Sequence, residues 1–327
     1  MNSLYPLKFK PIFKDKIWGG KKIKTELGLD YGDLPNCGEV WVLSGVKGNE
    51  SIVSNGFLEE NELNELVEVY MGDLVGEKVY ETFGNEFPLL IKFIDANDWL
   101  SIQVHPDDEL ARKRKSGSGK TEMWYTLGAD KDTQLISGFN RDMDEATYLK
   151  HFEEGTLKEI MNFENVEKDD VFFIPAGRVH AIGPGMLLAE IQQTSDTTYR
   201  IYDWDRIGVD GLPRELHTED ALEAIDYTKY NKYKTDYKVT PNEQSKLVRC
   251  DKFTTNILEF DRPISRDIET LDSFVIFISI EGESILVWDE GEVKIGKGEA
   301  ILVPAYISQI NLVPKTTTRL LEVFIQH

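Results

Sequence analysis

Two cysteines in 327 residues, Cys37 and Cys250, are too few and too far apart for a disulfide framework. Neither lies in a C-x-x-C pattern, so any bound metal must be held by nitrogen and oxygen. Histidine is scarce as well. Only five occur, so a histidine that falls within a patterned segment carries weight. No apolar run approaches the ~20 residues of a membrane span. The opening Met1–Lys8 lacks the basic stretch, apolar run and small residues of a secretion signal, and a cytoplasmic protein is expected. Positive charge is the last scarcity: 37 basic residues face 58 acidic ones, a net charge of −21. That excludes a nucleic-acid partner, because phosphate backbones require a positive face. A small anionic ligand would need cations gathered locally, where short range and low dielectric outweigh the distant field.

What is present is the composition of a soluble globular protein, 41% hydrophobic and 29% charged. Most of the chain alternates with period two and is punctuated by Gly, Pro, Asn and Asp, the pattern of many-stranded sandwiches and barrels. Asp144–Phe163 has helical spacing, with Gly155 dividing it into two short helices. Leu216–Ile225 predicts another, with Thr218 as N-cap, and Asn61–Tyr70 a third. The class is mainly β with a few short helices. The polar, lysine-rich stretch from Tyr227 to Gln244 reads as a connection between folded units, which places a boundary near residue 237. Residues 1–237 form a first unit with helical inserts and 238–327 a second. Within the second, GKGEAILVPAYISQI echoes KDDVFFIPAGRVHAI of residues 168–182: a charged turn, an apolar strand, then Pro-Ala. The echo predicts an internal repeat whose second copy, with Ser308 and Gln309 where the first has its histidine region, lacks metal chemistry and is structural.

Leu100-Ser101-Ile102-Gln103-Val104-His105 alternates apolar and polar without exception, so Ser101, Gln103 and His105 share one strand face. Taken alone, such a face before Pro106-Asp107-Asp108 fits a solvent side better than a site. Two further segments change the balance. Thr121–Tyr125, beginning with Thr121-Glu122, is strand-like, and Phe172–Ile174 is an apolar strand that turns at Pro175 and Gly177 and then presents His180. Two His, a Glu and a neutral Gln carbonyl match an open nitrogen–oxygen shell that leaves a position for water or substrate.

Taken in this order, QVH, KTEMWY and IPAGRVHAI resemble the cupin-fold type I mannose-6-phosphate isomerases, in a compact bacterial form; the likeness runs from about Trp18 to Trp204 and more weakly beyond. The resemblance implies two cupin-like jelly rolls, the second degenerate, and one zinc ion per chain on Gln103, His105, Glu122 and His180. The segment Glu190–Arg200 is similar to the one in which an acidic residue and an arginine ten positions later line the site, which implies catalytic roles for Glu190 and Arg200 and, two places before the zinc glutamate, for Lys120. Ser101 and Lys92 are implied at the phosphate, and Trp18 against the sugar. One position departs from the larger members, which often carry His where this chain has Gly119.

The implied reaction interconverts mannose 6-phosphate and fructose 6-phosphate. It removes a proton at C2 and returns one at C1 through an enediol, with the metal and Arg200 countering charge on oxygen and Glu190 or Lys120 moving the proton. Residue by residue, plainer roles compete: Arg200 as an ion-pair partner of Asp196 or Asp203, Glu190 as a satisfied barrel carboxylate, Trp18, Trp124, Trp204 and Trp288 as core or rim aromatics, His151 and His217 as surface residues. Two rival functions fit the same fold, a non-catalytic sugar-binding cupin and a non-haem iron oxygenase.

Overall fold

The computed structural model describes residues 3–208 and 211–326. Among the described residues, eleven strands precede residue 203: β1 (Ile12–Lys14), β2 (Glu39–Ser44), β3 (Leu89–Ala96), β4 (Ile102–Val104), β5 (Glu122–Ala129), β6 (Gln134–Phe139), β7 (Met161–Asn165), β8 (Val171–Ile174), β9 (His180–Ile182), β10 (Met186–Gln193) and β11 (Tyr199–Tyr202). They form two antiparallel sheets, ordered β1-β2-β3-β10-β5-β8 and β11-β4-β9-β6-β7. Nine more follow: β12 (Gln244–Arg249), β13 (Thr254–Phe260), β14 (Ile264–Asp267), β15 (Val275–Glu281), β16 (Glu283–Trp288), β17 (Gly291–Gly296), β18 (Ala300–Val303), β19 (Gln309–Pro314) and β20 (Thr318–Phe324). Their sheets run β12-β13-β20-β15-β18 and β14-β19-β16-β17. Strand for strand, β2–β10 and β12–β20 have the same order, so the echo between β8 and β18 belongs to a repeat of a whole jelly roll.

Alternation along the strands decides which side each residue serves. In β3, β5 and β10, Leu89, Ile91, Phe93, Met123, Tyr125, Ala189 and Ile191 point out of the first barrel. They meet Ile257, Phe274, Ile276, Leu321 and Val323 of the second in one shared core. The intervening residues of the same strands, among them Ile94, Trp124 and Leu188, face the first barrel's interior. Lys92, Glu122 and Glu190 lie on that inner side.

The helices are α1 (Lys22–Thr25), α2 (Leu63–Val75), α3 (Glu77–Phe83), α4 (Asp108–Arg114), α5 (Glu145–Glu153) and α6 (Thr218–Ala224). Three refine the expectations. After α5 and Gly155 (φ +69°) comes only a 3-10 turn at Leu157–Glu159, and Met161–Phe163 enter β7, paired with β6. Thr218 is the first helical residue of α6, capped by His217 without a side-chain bond. Helix α4 was not expected, although its signals are local: Asp107 accepts from the Leu110 amide, Asp108 and Glu109 open it, Arg112, Lys113 and Arg114 close it, and Lys115 turns left-handed. No described helix is long and apolar enough to cross a membrane. Between α6 and β12 the chain has no helix or strand but is pinned to the first barrel, where Tyr233 donates to the Phe139 carbonyl and Tyr237 to that of Asp169.

Candidate metal centre and cavity

His180 opens β9 and pairs across the sheet with Gln103 of β4. Gly177, left-handed at φ +86°, makes the turn before it, and the Gly177 amide donates to the His105 carbonyl at 2.9 Å. That bond ties two sequence-distant histidines together. Glu122, the first residue of β5, completes the group: its Oε1 lies 3.1 Å from His105 Nε2 and 3.2 Å from His180 Nε2. All three are buried.

Both imidazoles are oriented from behind. His105 Nδ1 donates to the Thr197 carbonyl at 2.9 Å and His180 Nδ1 to the Arg178 carbonyl at 2.8 Å. This fixes the proton on Nδ1 and leaves each Nε2 as a lone pair aimed at Glu122. Burial, with Lys120 adding to it, pushes the His105 imidazole down to about 3, so it is neutral at physiological pH. Burial alone would raise the Glu122 carboxyl, but Lys120 holds it well below the ordinary range. His105 Nε2 and both Glu122 oxygens have no hydrogen-bond partner. Such orphaned buried acceptors are costly by about 1–3 kcal/mol each, and their convergence suits a divalent cation with nitrogen and oxygen ligands. Gln103 stands beside them with Nε2 3.3 Å from His180 Nε2 and Oε1 3.2 Å from Ser101 Oγ. As a ligand it must present its oxygen instead, which half a turn of the amide supplies.

A cavity of about 310 Å³ adjoins this group through Gln103 and Lys120. Its wall includes Trp18, Lys92, Ser101, Gln103, Lys120, Glu190 and Arg200, so the expected site residues converge on one place. One plainer reading fails. Arg200 pairs with neither Asp196 nor Asp203: its Nη1 donates to the Glu215 carbonyl at 2.7 Å, and its Nε is buried without a partner. Glu190 is opposed by Lys92 on β3 and Trp124 on β5. Trp124 Nε1 donates to its Oε2 at 2.9 Å, while Lys92 Nζ stands 3.0 Å from Oε1 without hydrogen-bond alignment. Burial and Glu122 raise the Glu190 carboxyl against the pull of Lys92 and Lys120. Lys120 Nζ has no nearer carboxylate than Glu122 Oε2 at 3.9 Å and makes no hydrogen bond.

Sequence reasoning missed Lys16, Glu39 and Arg214, which share the wall. Glu39 receives Trp41 Nε1 at 2.7 Å and lies 3.9 Å from Lys92 and 3.3 Å from Lys16. Burial would raise it, yet Lys92 and Lys16 hold it down at about 2. Lys92 is thus bracketed by two carboxylates, and an incoming phosphate would have to compete with both. Five cations line a cavity in a chain of net charge −21. His217, expected at the surface, is half-buried and holds Arg200 from behind: its amide donates to the Arg200 carbonyl, and its Nδ1 accepts from the Arg200 amide. Gly119 has a steric reason. A Cβ there would lie 2.5 Å from the Asp108 amide nitrogen, so no histidine fits without moving α4.

Comparison with known proteins identifies the family. Residues 6–162 match the family model of the phosphomannose isomerase type I catalytic domain, and 243–322 that of the mannose-6-phosphate isomerase cupin domain. The chain is 34% identical to mannose-6-phosphate isomerase ManA of Bacillus subtilis over 94% of this chain and 95% of that protein. It is 37% identical to a mannose-6-phosphate isomerase of Streptococcus mutans over 67% of each. A crystal structure of the mannose 6-phosphate isomerase from Bacillus subtilis superposes with a TM-score of 0.88 at 28% identity, covering 97% of this chain and 99% of that one. Variants of phosphomannose isomerase from Salmonella typhimurium share the fold, at a TM-score of 0.78 and 18% identity. With its paired jelly rolls and its buried His–Glu–His group, the chain belongs to the type I phosphomannose isomerase family.

Proposed function

We propose that the chain interconverts mannose 6-phosphate and fructose 6-phosphate, the activity named for its relatives. The observation that carries the reading is the convergence of His105, Glu122 and His180, with His105 Nε2 and both Glu122 oxygens unclaimed, beside a cationic cavity. These three, with Gln103, would hold one zinc ion, which when bound supplies Lewis-acid stabilisation of charge on the substrate oxygens. The rest of the chemistry falls to side chains. Glu190 moves the proton between C2 and C1: Trp124 and Lys92 fix its carboxylate, and Oε1 keeps an unclaimed lone pair. Lys120, short of partners, counters the negative charge of the enediolate. Trp18 closes the cavity over the sugar. Residues 1–237 carry this site, and 238–327 form the supporting second unit. Two free cysteines and a phosphorylated substrate favour a cytoplasmic location.

The rival readings separate in one assay. Purified protein given mannose 6-phosphate yields fructose 6-phosphate, and Glu190→Gln lowers kcat by ~10²–10⁴-fold. Sugar binding without turnover would instead indicate a binding protein, and oxygen uptake with iron an oxygenase.

A further inference from the structure

A phosphate on C6 must sit at the end of the substrate away from the metal group, and the residues expected to receive it are poorly placed. Ser101 Oγ touches Gln103 at the metal end, and Lys92 lies between Glu190 and Glu39. The wall formed by β11 and the chain that follows it has a different charge balance. Asp203, buried after β11, accepts from both Arg206 (Nη2, 2.6 Å) and Arg214 (Nε, 2.7 Å). Burial alone would raise its carboxyl, but the two guanidiniums keep it below the ordinary range. Arg206 also reaches Asp98 at 3.5 Å and the Trp99 carbonyl at 2.6 Å, so it faces away from the cavity. Arg214 and Arg200 both line it. Arg200 has no carboxylate partner, and its Nε is buried and unpaired. Burial, joined by repulsion from Arg214 and Arg206, lowers the Arg200 guanidinium. Asp196 is the acid lining this stretch of wall, and it is exposed.

Resting on the isomerase reading, we infer that Arg214 and Arg200 together form the clamp for the substrate phosphate, with Asp203 as the residue that aims Arg214. Planar guanidiniums suit a phosphate because they offer parallel N–H donors, and desolvation strengthens the contact. Two like-charged groups that line one cavity and repel each other, with the neighbouring Asp203 already bonded to Arg206 and Arg214, leave excess positive charge for a dianion to neutralise. The arrangement makes Arg214 a specificity residue: it selects the phosphorylated sugar over the free one. It also assigns Lys92 to holding Glu190.

The test is steady-state kinetics of Arg214→Ala and Arg214→Lys with mannose 6-phosphate and with mannose, together with inhibition by inorganic phosphate. The expected result for Arg214→Ala is a KM for mannose 6-phosphate raised ~10–100-fold with kcat within a few-fold. The preference for mannose 6-phosphate over mannose and the affinity for inorganic phosphate fall by a similar factor, and the lysine variant recovers part of the loss. Should Arg214→Ala misfold through the loss of its Asp203 pair, Arg214→Lys decides, with a several-fold rise in KM expected. An unchanged KM, or equal losses for mannose and its phosphate, overturns the clamp. Wild-type protein that fails to isomerise mannose 6-phosphate overturns the underlying function instead.

Discussion

At the scale of single residues, the site illustrates how neighbours decide the role of a side chain. His105, His180 and Glu122 were legible in the sequence because histidines are few and each sat at a strand end or turn. Lys16, Glu39 and Arg214 were not, since their relevance comes from which strands lie side by side. Trp124 was legible as a core aromatic but not as the donor that fixes Glu190. Outside the site, Asp95 shows a carboxyl in the opposite condition to Glu39. It is buried, and although the Lys22 amide donates to it, burial pushes it up to about 6. The unfolded chain ionises this group more readily than the folded one, so its contribution to stability is greatest at low pH and is lost as pH rises from about 4 to 6. Asp95→Asn keeps an acceptor for the amide and removes the charge. Relative to the parent, the variant should gain on the order of 1 kcal/mol between pH 5 and pH 7.5, read from urea midpoints. A difference independent of pH would contradict this account of Asp95.

At the scale of elements, β10 is the organising strand, because it lies between β3 and β5 and sets Glu190 against both Lys92 and Trp124. The alternation that places Ile191 in the shared core places Glu190 in the cavity, so β10 cannot slip by one residue without burying charge between the barrels. Strand periodicity was readable for that reason. Helix α4 escaped notice because it is only seven residues long and follows Pro106, yet it braces the segment carrying Lys120. Asp108 Oδ1 accepts from the Gly119 amide at 2.8 Å and from Gln193 Nε2 at 3.0 Å, and Oδ2 pairs with Lys252 of the second barrel at 2.8 Å. Asp108→Ala should lower kcat ~10-fold and stability by about 1–2 kcal/mol, whereas Asp108→Asn should restore most of kcat. Equal kcat losses in both variants would show that Asp108 acts through its charge and not by bracing the turn.

At the scale of the whole molecule, the two barrels are one structural unit. The outer faces of β3, β5 and β10 are as apolar as a domain interior because the second barrel covers them, with Phe87 and Phe274 in ring contact at 4.6 Å. Leu89, Ile91, Phe93, Met123 and Ile191 would each lose ~1.5–3 kcal/mol if left in water, a total comparable with the ~5–15 kcal/mol that holds a domain folded. A chain ending at residue 237 should therefore aggregate or expose dye-binding apolar surface, and a soluble, cooperatively folding fragment would refute that coupling. The repeat in the sequence pointed to this second barrel, but its role as a cover depends on which sheet faces which, and no local pattern encodes that. The chain's acidity is reconciled with an anionic substrate in the same way, by a fold that collects a few cations from distant segments around one cavity.

The central claim is that His105, Glu122, His180 and Gln103 hold a metal ion needed for isomerisation. It is tested most directly by stripping the protein with a chelator, adding zinc back, and following both bound metal and fructose 6-phosphate formed from mannose 6-phosphate. The account predicts about one zinc per chain with activity lost and regained in step, and neither in Glu122→Gln. Full activity in the stripped protein, or zinc retained by the Glu122 variant, would contradict it.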